Sequence, residues 1–359
     1  MIFDGSEKTP GARFLLILAC LVVVVYGLKF AAPILLPAAL ALFLAVLSLP
    51  VMLFLRHRKV PSSLAIALTM LVSVGVFGLL ALLASGSVEE FQTRLPAYAA
   101  RLSTLQDQWI QGLGVRLGLP VEDYIGLSLI NPAAIVDIAG GALSRIAQFV
   151  STTLLVFLIT IFMLAEAIVF PDKVRFLLGG QLGHEDRLAK VVGEIQTYLG
   201  IKTVVSLATG IILGLWCYVM ELDFPVLLGL VAFVLNYVPT VGSIIAAAPA
   251  ILLSLILHGT LAHALGVTAG YVVVNALFGN ILEPNLMGRR LGLSTLVVIL
   301  SLLFWGWTWG PLGALLSVPL TVIVKIWLEN TPDLRWVALL LDKTPPARSE
   351  TLAGPDPEI

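Results

Sequence analysis

Apolar residues in this chain come in continuous runs rather than in alternation. The runs fall at about 14–31, 33–55, 61–86, 147–170, 201–220, 226–257, 261–282 and 293–328. Most hold about 20 residues, the length of helix that crosses roughly 30 Å of hydrocarbon. The pattern predicts an all-α, polytopic transmembrane protein with about eight hydrophobic segments. A transmembrane β-barrel is excluded, because its strands would alternate. Pro33, Pro61 and Pro225 stand at or near the starts of runs, where a missing N–H costs little.

Two of the runs are interrupted. The segment 226–257 would make about 48 Å of helix, too long for one span and too short for two. Its middle carries Asn236, Tyr237, Pro239, Gly242 and Ser243. The segment 293–328 carries Trp305, Trp307, Trp309, Gly310, Pro311 and Gly313 in the same way. Lipid cannot pair free backbone groups, so broken helices persist only where protein or water shields them. Such breaks are common at transport sites. Both segments read as broken helical hairpins, with tips at Asn236–Gly242 and Trp305–Gly313. The second also fits two full spans.

A weak internal repeat accompanies them. The run 201–220 and its hairpin match 261–282 and its hairpin in opposite orientation. Gly210/Gly214 and Gly266/Gly270 mark the crossing helices, and Pro239/Gly242/Pro249 and Pro311/Gly313/Pro319 mark the hairpins. Inverted repeats are a transporter plan, although Gly-xxx-Gly equally serves helix packing.

Lys and Arg in short loops set orientation. The 56–59 loop, the 171–200 connection and the C-terminal side are basic, which places them in the cytoplasm with the N-terminus. Arg289 and Arg290 join them if 226–257 enters and leaves from outside, which puts His258 outside. The resulting organisation is a cytoplasmic tail over 1–12, three transmembrane helices over 13–86 and an external amphipathic insertion over 87–146. A transmembrane helix and a cytoplasmic interfacial helix follow over 147–200. Residues 201–328 form the transport region and 329–359 a cytoplasmic tail. The end of that tail has four prolines and no apolar period, and reads as disordered. Run 14–30 reads as an uncleaved first span rather than a signal peptide, because the next run begins almost at once.

The insertion has its own pattern. Phe91, Leu95, Tyr98, Leu102, Leu105, Trp109 and Leu113 form a narrow apolar seam at helical spacing. It predicts burial on a neighbouring subunit or on the membrane surface. Leu188, Val191, Val192, Ile195 and Leu199 form a second apolar face.

Composition narrows the function. The chain of 359 residues is 59% hydrophobic and 12% charged, with mean hydropathy +1.02. Soluble domains carry roughly 25% charged residues. A net charge of −1 gives no reason to expect nucleic acid. Cys20 and Cys217 sit inside apolar runs, which argues against a disulfide or a metal site. Of the four histidines only His258 and His263 are close in sequence, a weak metal signal. There is no P-loop, no His-Glu-x-x-His and no Gly-x-Ser-x-Gly. The chain reads as a non-enzyme without cofactor or metal, and any transport would run on a gradient.

Ionisable groups within spans are costly and usually functional. Glu166 lies near the end of its run, and Glu283 ends another, one turn from Asn280. Either could carry a proton, and either could simply meet the interface. Asn236 lies at the break itself. Pro239 frees carbonyls there, and with Tyr237, Gly242 and Ser243 they form a candidate solute or ion site. The alternative is a self-satisfied structural turn. Trp309, Gly310 and Gly313 are candidates at the second tip, and its tryptophans also fit an aromatic belt. Opposed tips enclosing one polar cavity would shield both breaks at once.

At LNYVPTVGSIIAAAPA and NILEPNLMGRRLGLSTLVVIL the chain resembles the autoinducer-2 exporter family of bacterial membrane proteins. The first stretch carries that family's Pro-x-x-Gly with a later Pro. The second carries its Glu-Pro-x-x-x-Gly-Arg-Arg-Leu-Gly-Leu pattern, followed by Trp-Gly, Gly-Pro-x-Gly and Val-Pro-Leu elements. Thr295 stands where the family usually has Pro. The resemblance covers about 190–330 strongly and fits the layout of the rest. It implies a multi-pass protein of the bacterial inner membrane and a homo-oligomer, with a pentamer among the candidate sizes. It implies a secondary transporter whose cargo is a small polar solute such as the quorum-sensing signal autoinducer-2. Other members are described as Na⁺(Li⁺)/H⁺ antiporters. A non-transporting membrane scaffold is the third reading.

Overall fold

The computed structural model describes residues 10–117, 152–170, 173, 182–239, 241–287, 293–329, 331 and 334–342. Arg289 and Arg290, residues 118–146 of the insertion and both tails beyond 10 and 342 lie outside these residues. The described residues form helices, with one isolated bridge between Leu293 and Asp342. In chain order these are α1 Pro10–Phe30, α2 Ala32–His57 and α3 Ser62–Leu117. Next comes α4, Thr152–Phe170. Then follow α5 Leu182–Val219, α6 Pro225–Leu235, α7 Val241–His258, α8 Leu261–Asn275, α9 Glu283–Met287, α10 Thr295–Glu329 and α11 Arg335–Leu341. A π-helical stretch, Ala276–Leu282, joins α8 to α9.

Among the described residues, seven helices are long and apolar enough to cross a membrane. Their surfaces are inverted relative to a soluble protein. Leu71, Leu154 and Phe162 are about two-thirds exposed, while Thr160, Ser206, Ser254 and Ser317 are fully buried. Lipid solvates the apolar outside, and small polar residues let the helices approach each other inside. The chain is a multi-pass membrane protein.

The described helices fall into two compact units. In the unit formed by 44–291, α2, α3 and α4 meet around Met52, Ala65, Met70 and Leu164. Helices α3 and α5 to α8 share a second core that includes Leu213, Cys217, Leu228, Ala246, Val267 and Tyr271. Gly210 and Gly214 of α5 lie against the backbone of Gly229 in α6, closer than side chains would allow. Gly266 lies under Met220, and Gly270 under the Trp216 indole. These Gly-xxx-Gly pairs are therefore used for helix packing.

Two helices run unbroken through positions where the composition changes. Helix α3 runs through residue 86 without a break. Helix α5 runs through residue 200, so the expected interfacial helix and the crossing helix are one element of 38 residues. A change from polar to apolar composition does not end a helix, and α5 contains no proline to do so.

The seam is also covered differently from the expectation. Tyr98 and Leu102 pack with Phe224, Leu228, Leu253 and Ile256 of the same chain, and Phe91 packs against that cluster. Leu95 lines an apolar pocket of about 250 Å³ between the same elements. Tyr98 donates to Asp223 at 2.5 Å, and Arg94 reaches the same carboxylate at 3.1 Å. These positions are buried by the hairpin of their own chain, because α3 is long enough to pass beside it. The side chains of Trp109 and Leu113 lie outside the described residues. We expect Leu102→Asp to cost the protomer about 3 kcal/mol by burying a charge. Thermal unfolding in detergent checks this. An unchanged unfolding temperature with a smaller particle would return the seam to a subunit contact.

The other unit comprises the described parts of 1–43 and 292–359. Within it α10 folds back on itself. Gly310 has φ 70° and ψ −155°, a region essentially closed to other residues. Trp305 Nε1 donates to Thr321 Oγ1 at 3.1 Å across sixteen residues, which a straight helix would hold about 24 Å apart. The arms 295–309 and 311–329 measure about 22 and 28 Å. Trp309 donates to the Leu28 carbonyl at 3.1 Å, and Lys29 Nζ lies 3.9 Å over the Trp307 ring. Lys325 pairs with Asp342 at 3.1 Å and ties α10 to the end of α11.

Candidate functional site

The first hairpin is α6 and α7 with the break between them. Helix α6 has 11 residues, about 16 Å of rise, roughly half of the hydrocarbon thickness. Its end is tied to α5 by side chains. Asn236 Nδ2 donates to Ser206 Oγ at 3.0 Å, and Tyr237 donates to Thr203 Oγ1 at 2.7 Å. Gly242 is buried, and a Cβ there would meet the Leu235 carbonyl oxygen. The return of the chain into α7 therefore needs glycine at that place.

The tip opens onto a cavity of about 650 Å³. Asn236, Pro239 and Ser243 line it from the hairpin, and Asn280 and Glu283 from the π-helical stretch and α9. Five residues expected at a site are thus gathered around one space. Tyr237 stands behind it, on Thr203, and Gly242 forms the turn below it. Glu166 is not among the lining residues. Its carboxylate accepts from Lys173 at 2.6 Å, and both side chains are more than half exposed. Trp309, Gly310 and Gly313 belong to the other unit. There the Trp309 N–H is taken by the Leu28 carbonyl, and Gly310 and Gly313 form the α10 turn.

The sequence reading missed four polar lining residues: Lys202, Thr268, Tyr271 and Asn275. Lys202 changes the chemistry most. Its ammonium donates to both oxygens of Glu283, at 2.7 and 2.9 Å. The Lys202 side chain is 4% exposed and that of Glu283 17%. One lysine inside an apolar run was the available signal, but it stands one residue into the run and reads as the edge of a span. Asn275 and Asn280 line the cavity without a side-chain hydrogen bond among the described residues. The cavity thus combines amides and hydroxyls that both donate and accept with one internally neutral ion pair.

The π-helical stretch Ala276–Leu282 places the last two of these groups. The Glu283 N–H donates to Phe278 O, five residues back. This wider turn sets Asn280 and Glu283 over the cavity, and such insertions are frequent at functional sites. Elsewhere His258 and His263 stack with centroids 3.6 Å apart, and His263 Nδ1 bonds Ser254 Oγ at 2.8 Å. No group of three or more metal-ligating side chains occurs among the described residues.

Comparison with known proteins agrees over nearly the whole chain. A family model described as AI-2E family transporter matches residues 18–333. AI-2 transport protein TqsA of Escherichia coli K12 is 38% identical over 331 residues, covering 92% of this chain and 96% of that one. A Haemophilus influenzae protein named "Putative transport protein" is 38% identical over 336 residues, covering 92% and 96%. "Putative transport protein YrrI" of Bacillus subtilis is 26% identical over 316 residues, covering 81% and 85%.

Proposed function

The chain belongs to the AI-2E family of transporters, and from that premise we propose that it exports a small polar solute such as autoinducer-2. It is a transporter, not an enzyme. The solute would occupy the cavity at the tip of α6 and α7. The observation that carries this reading is the cavity itself. Amides from Asn236, Asn275 and Asn280 converge there beside a helix break, and an uncharged polyhydroxyl solute could exchange its water for them. The protein would sit in the bacterial inner membrane with both termini in the cytoplasm, following the basic loops, and would assemble as a homo-oligomer.

Asn236 has two uses in this reading. It fixes the tip on Ser206, and it presents the rest of its amide to the cavity. Leucine keeps its bulk but loses both. We expect Asn236→Leu to express and assemble normally and to lose at least about tenfold in flux, or about 1.4 kcal/mol of barrier. Reconstituted vesicles loaded with autoinducer-2 measure this. Full flux in the variant sinks the site.

The same vesicles, given Na⁺ against a pH gradient, address antiport. The Glu283 carboxylate is already charge-paired, with Lys202 donating to both of its oxygens. That geometry favours solute export over ion exchange at Glu283. If neither moves, the cargo of this transporter belongs to another class.

A further inference from the structure

The Lys202–Glu283 pair bears on which solutes the cavity would accept. Both charges are withdrawn from water and face the same space. Among the described lining residues they are the only ionisable pair of opposite sign, and the other polar groups are amides and hydroxyls. A buried pair is tolerated only while each charge keeps its partner, and removing one partner leaves an uncompensated charge. Consider a solute with a single negative charge. It must share the Lys202 ammonium with Glu283 or draw it away, and either way one negative charge in the cavity is left without a cation. A singly positive solute strands Lys202 in the same way. A solute without net charge disturbs nothing, whether it bonds the amides alone or bridges the pair with a donor and an acceptor.

We propose that the cavity selects by net charge, with Lys202 and Glu283 as its specificity-determining residues. It admits solutes of zero net charge and refuses singly charged ones of the same size. This rests on the transporter reading for its biological use, but the electrostatic rule can be tested without transport.

The test uses the full chain in four forms: wild type, Lys202→Met, Glu283→Gln and the double variant. The first measurement is the unfolding temperature in detergent at constant ionic strength. Lys202→Met leaves a carboxylate without its cation. We expect sodium chloride to stabilise it over N-methylglucamine chloride by at least about 3 °C. Glu283→Gln leaves an ammonium without its anion, and chloride should stabilise it over gluconate by a similar amount. Wild type and the double variant should respond to neither exchange. If Lys202→Met does not fold, Glu283→Gln and its conservative control Glu283→Asp carry this arm. Glu283→Asp should show no chloride response. A wild type stabilised by sodium, or folded single variants that respond to neither ion, overturns the proposal.

The second measurement is flux in vesicles of three isosteric solutes: xylitol, xylonate and 1-amino-1-deoxyxylitol. Wild type should move xylitol at least tenfold faster than either ion. Glu283→Gln should narrow the gap for xylonate, and Lys202→Met should narrow it for the amine. Wild type carrying either ion as fast as xylitol overturns the charge rule. The salt responses without flux of any of the three support the rule and count against transport of polyhydroxyl solutes.

Discussion

Lys202→Met is expected to lower stability by about 3–5 kcal/mol, and adding Glu283→Gln is expected to return most of the loss. The single change removes the donor that meets both oxygens of Glu283 at 2.7 and 2.9 Å. It leaves a carboxylate whose side chain is only 17% exposed. The double change removes the stranded charge as well. A methionine fills most of the volume of the lysine stem, and a glutamine amide can bond the neighbouring asparagines. In a protein of this size the single variant should unfold roughly 4–7 °C lower, and the double variant within about 2 °C of wild type. Thermal unfolding in detergent under one fixed salt measures both. Equal losses in the single and double variants would mean that the pair contributes packing rather than charge balance.

That pair was hidden in the sequence for a definite reason. Its partners lie 81 residues apart, and no local period connects them. Glu283 was visible because it ends an apolar run beside Asn280. Lys202 was not, because a lysine at the head of a run looks like a membrane anchor. The hairpins were legible because breaking a helix in hydrocarbon leaves few permitted surroundings, so Asn236, Pro239 and Ser243 identified themselves as a cluster. The cover of the α3 seam was not legible. Spacing shows that Tyr98 and Leu102 must be buried, but not whether Phe224 and Leu253 or another subunit buries them. Continuity of α5 escaped for a related reason. Polarity changes near residue 200 while backbone hydrogen bonding does not.

The second large effect is expected at the glycines of the two turns. A methyl group on Gly242 would meet the Leu235 carbonyl oxygen and lie 3.1 Å from Val238 Cβ. One on Gly313 would meet the Trp305 carbonyl oxygen and lie 2.7 Å from Trp309 Cβ. In both hairpins the obstacle is the backbone of the preceding arm, which cannot swing aside as a side chain does. The arms must separate, and overpacking of this kind costs about 1–3 kcal/mol. Gly310→Ala should lose a similar amount by another route. Nothing stands within 4 Å of its added Cβ, but φ 70° and ψ −155° strain any other residue by about 1–3 kcal/mol. Gly306 is the control. Its added Cβ would rest 3.6 Å from Ala314 Cβ, an ordinary contact, and alanine favours helix by up to about 1 kcal/mol. Gly306→Ala should therefore be neutral or slightly stabilising. The four variants separate turn geometry from a general intolerance of larger residues. Gly242→Ala should also reduce flux out of proportion to its stability, since parting the arms lifts Asn236 from Ser206. If Gly242→Ala and Gly306→Ala unfold at the same temperature, the turn at the first tip is not held by contact with Leu235.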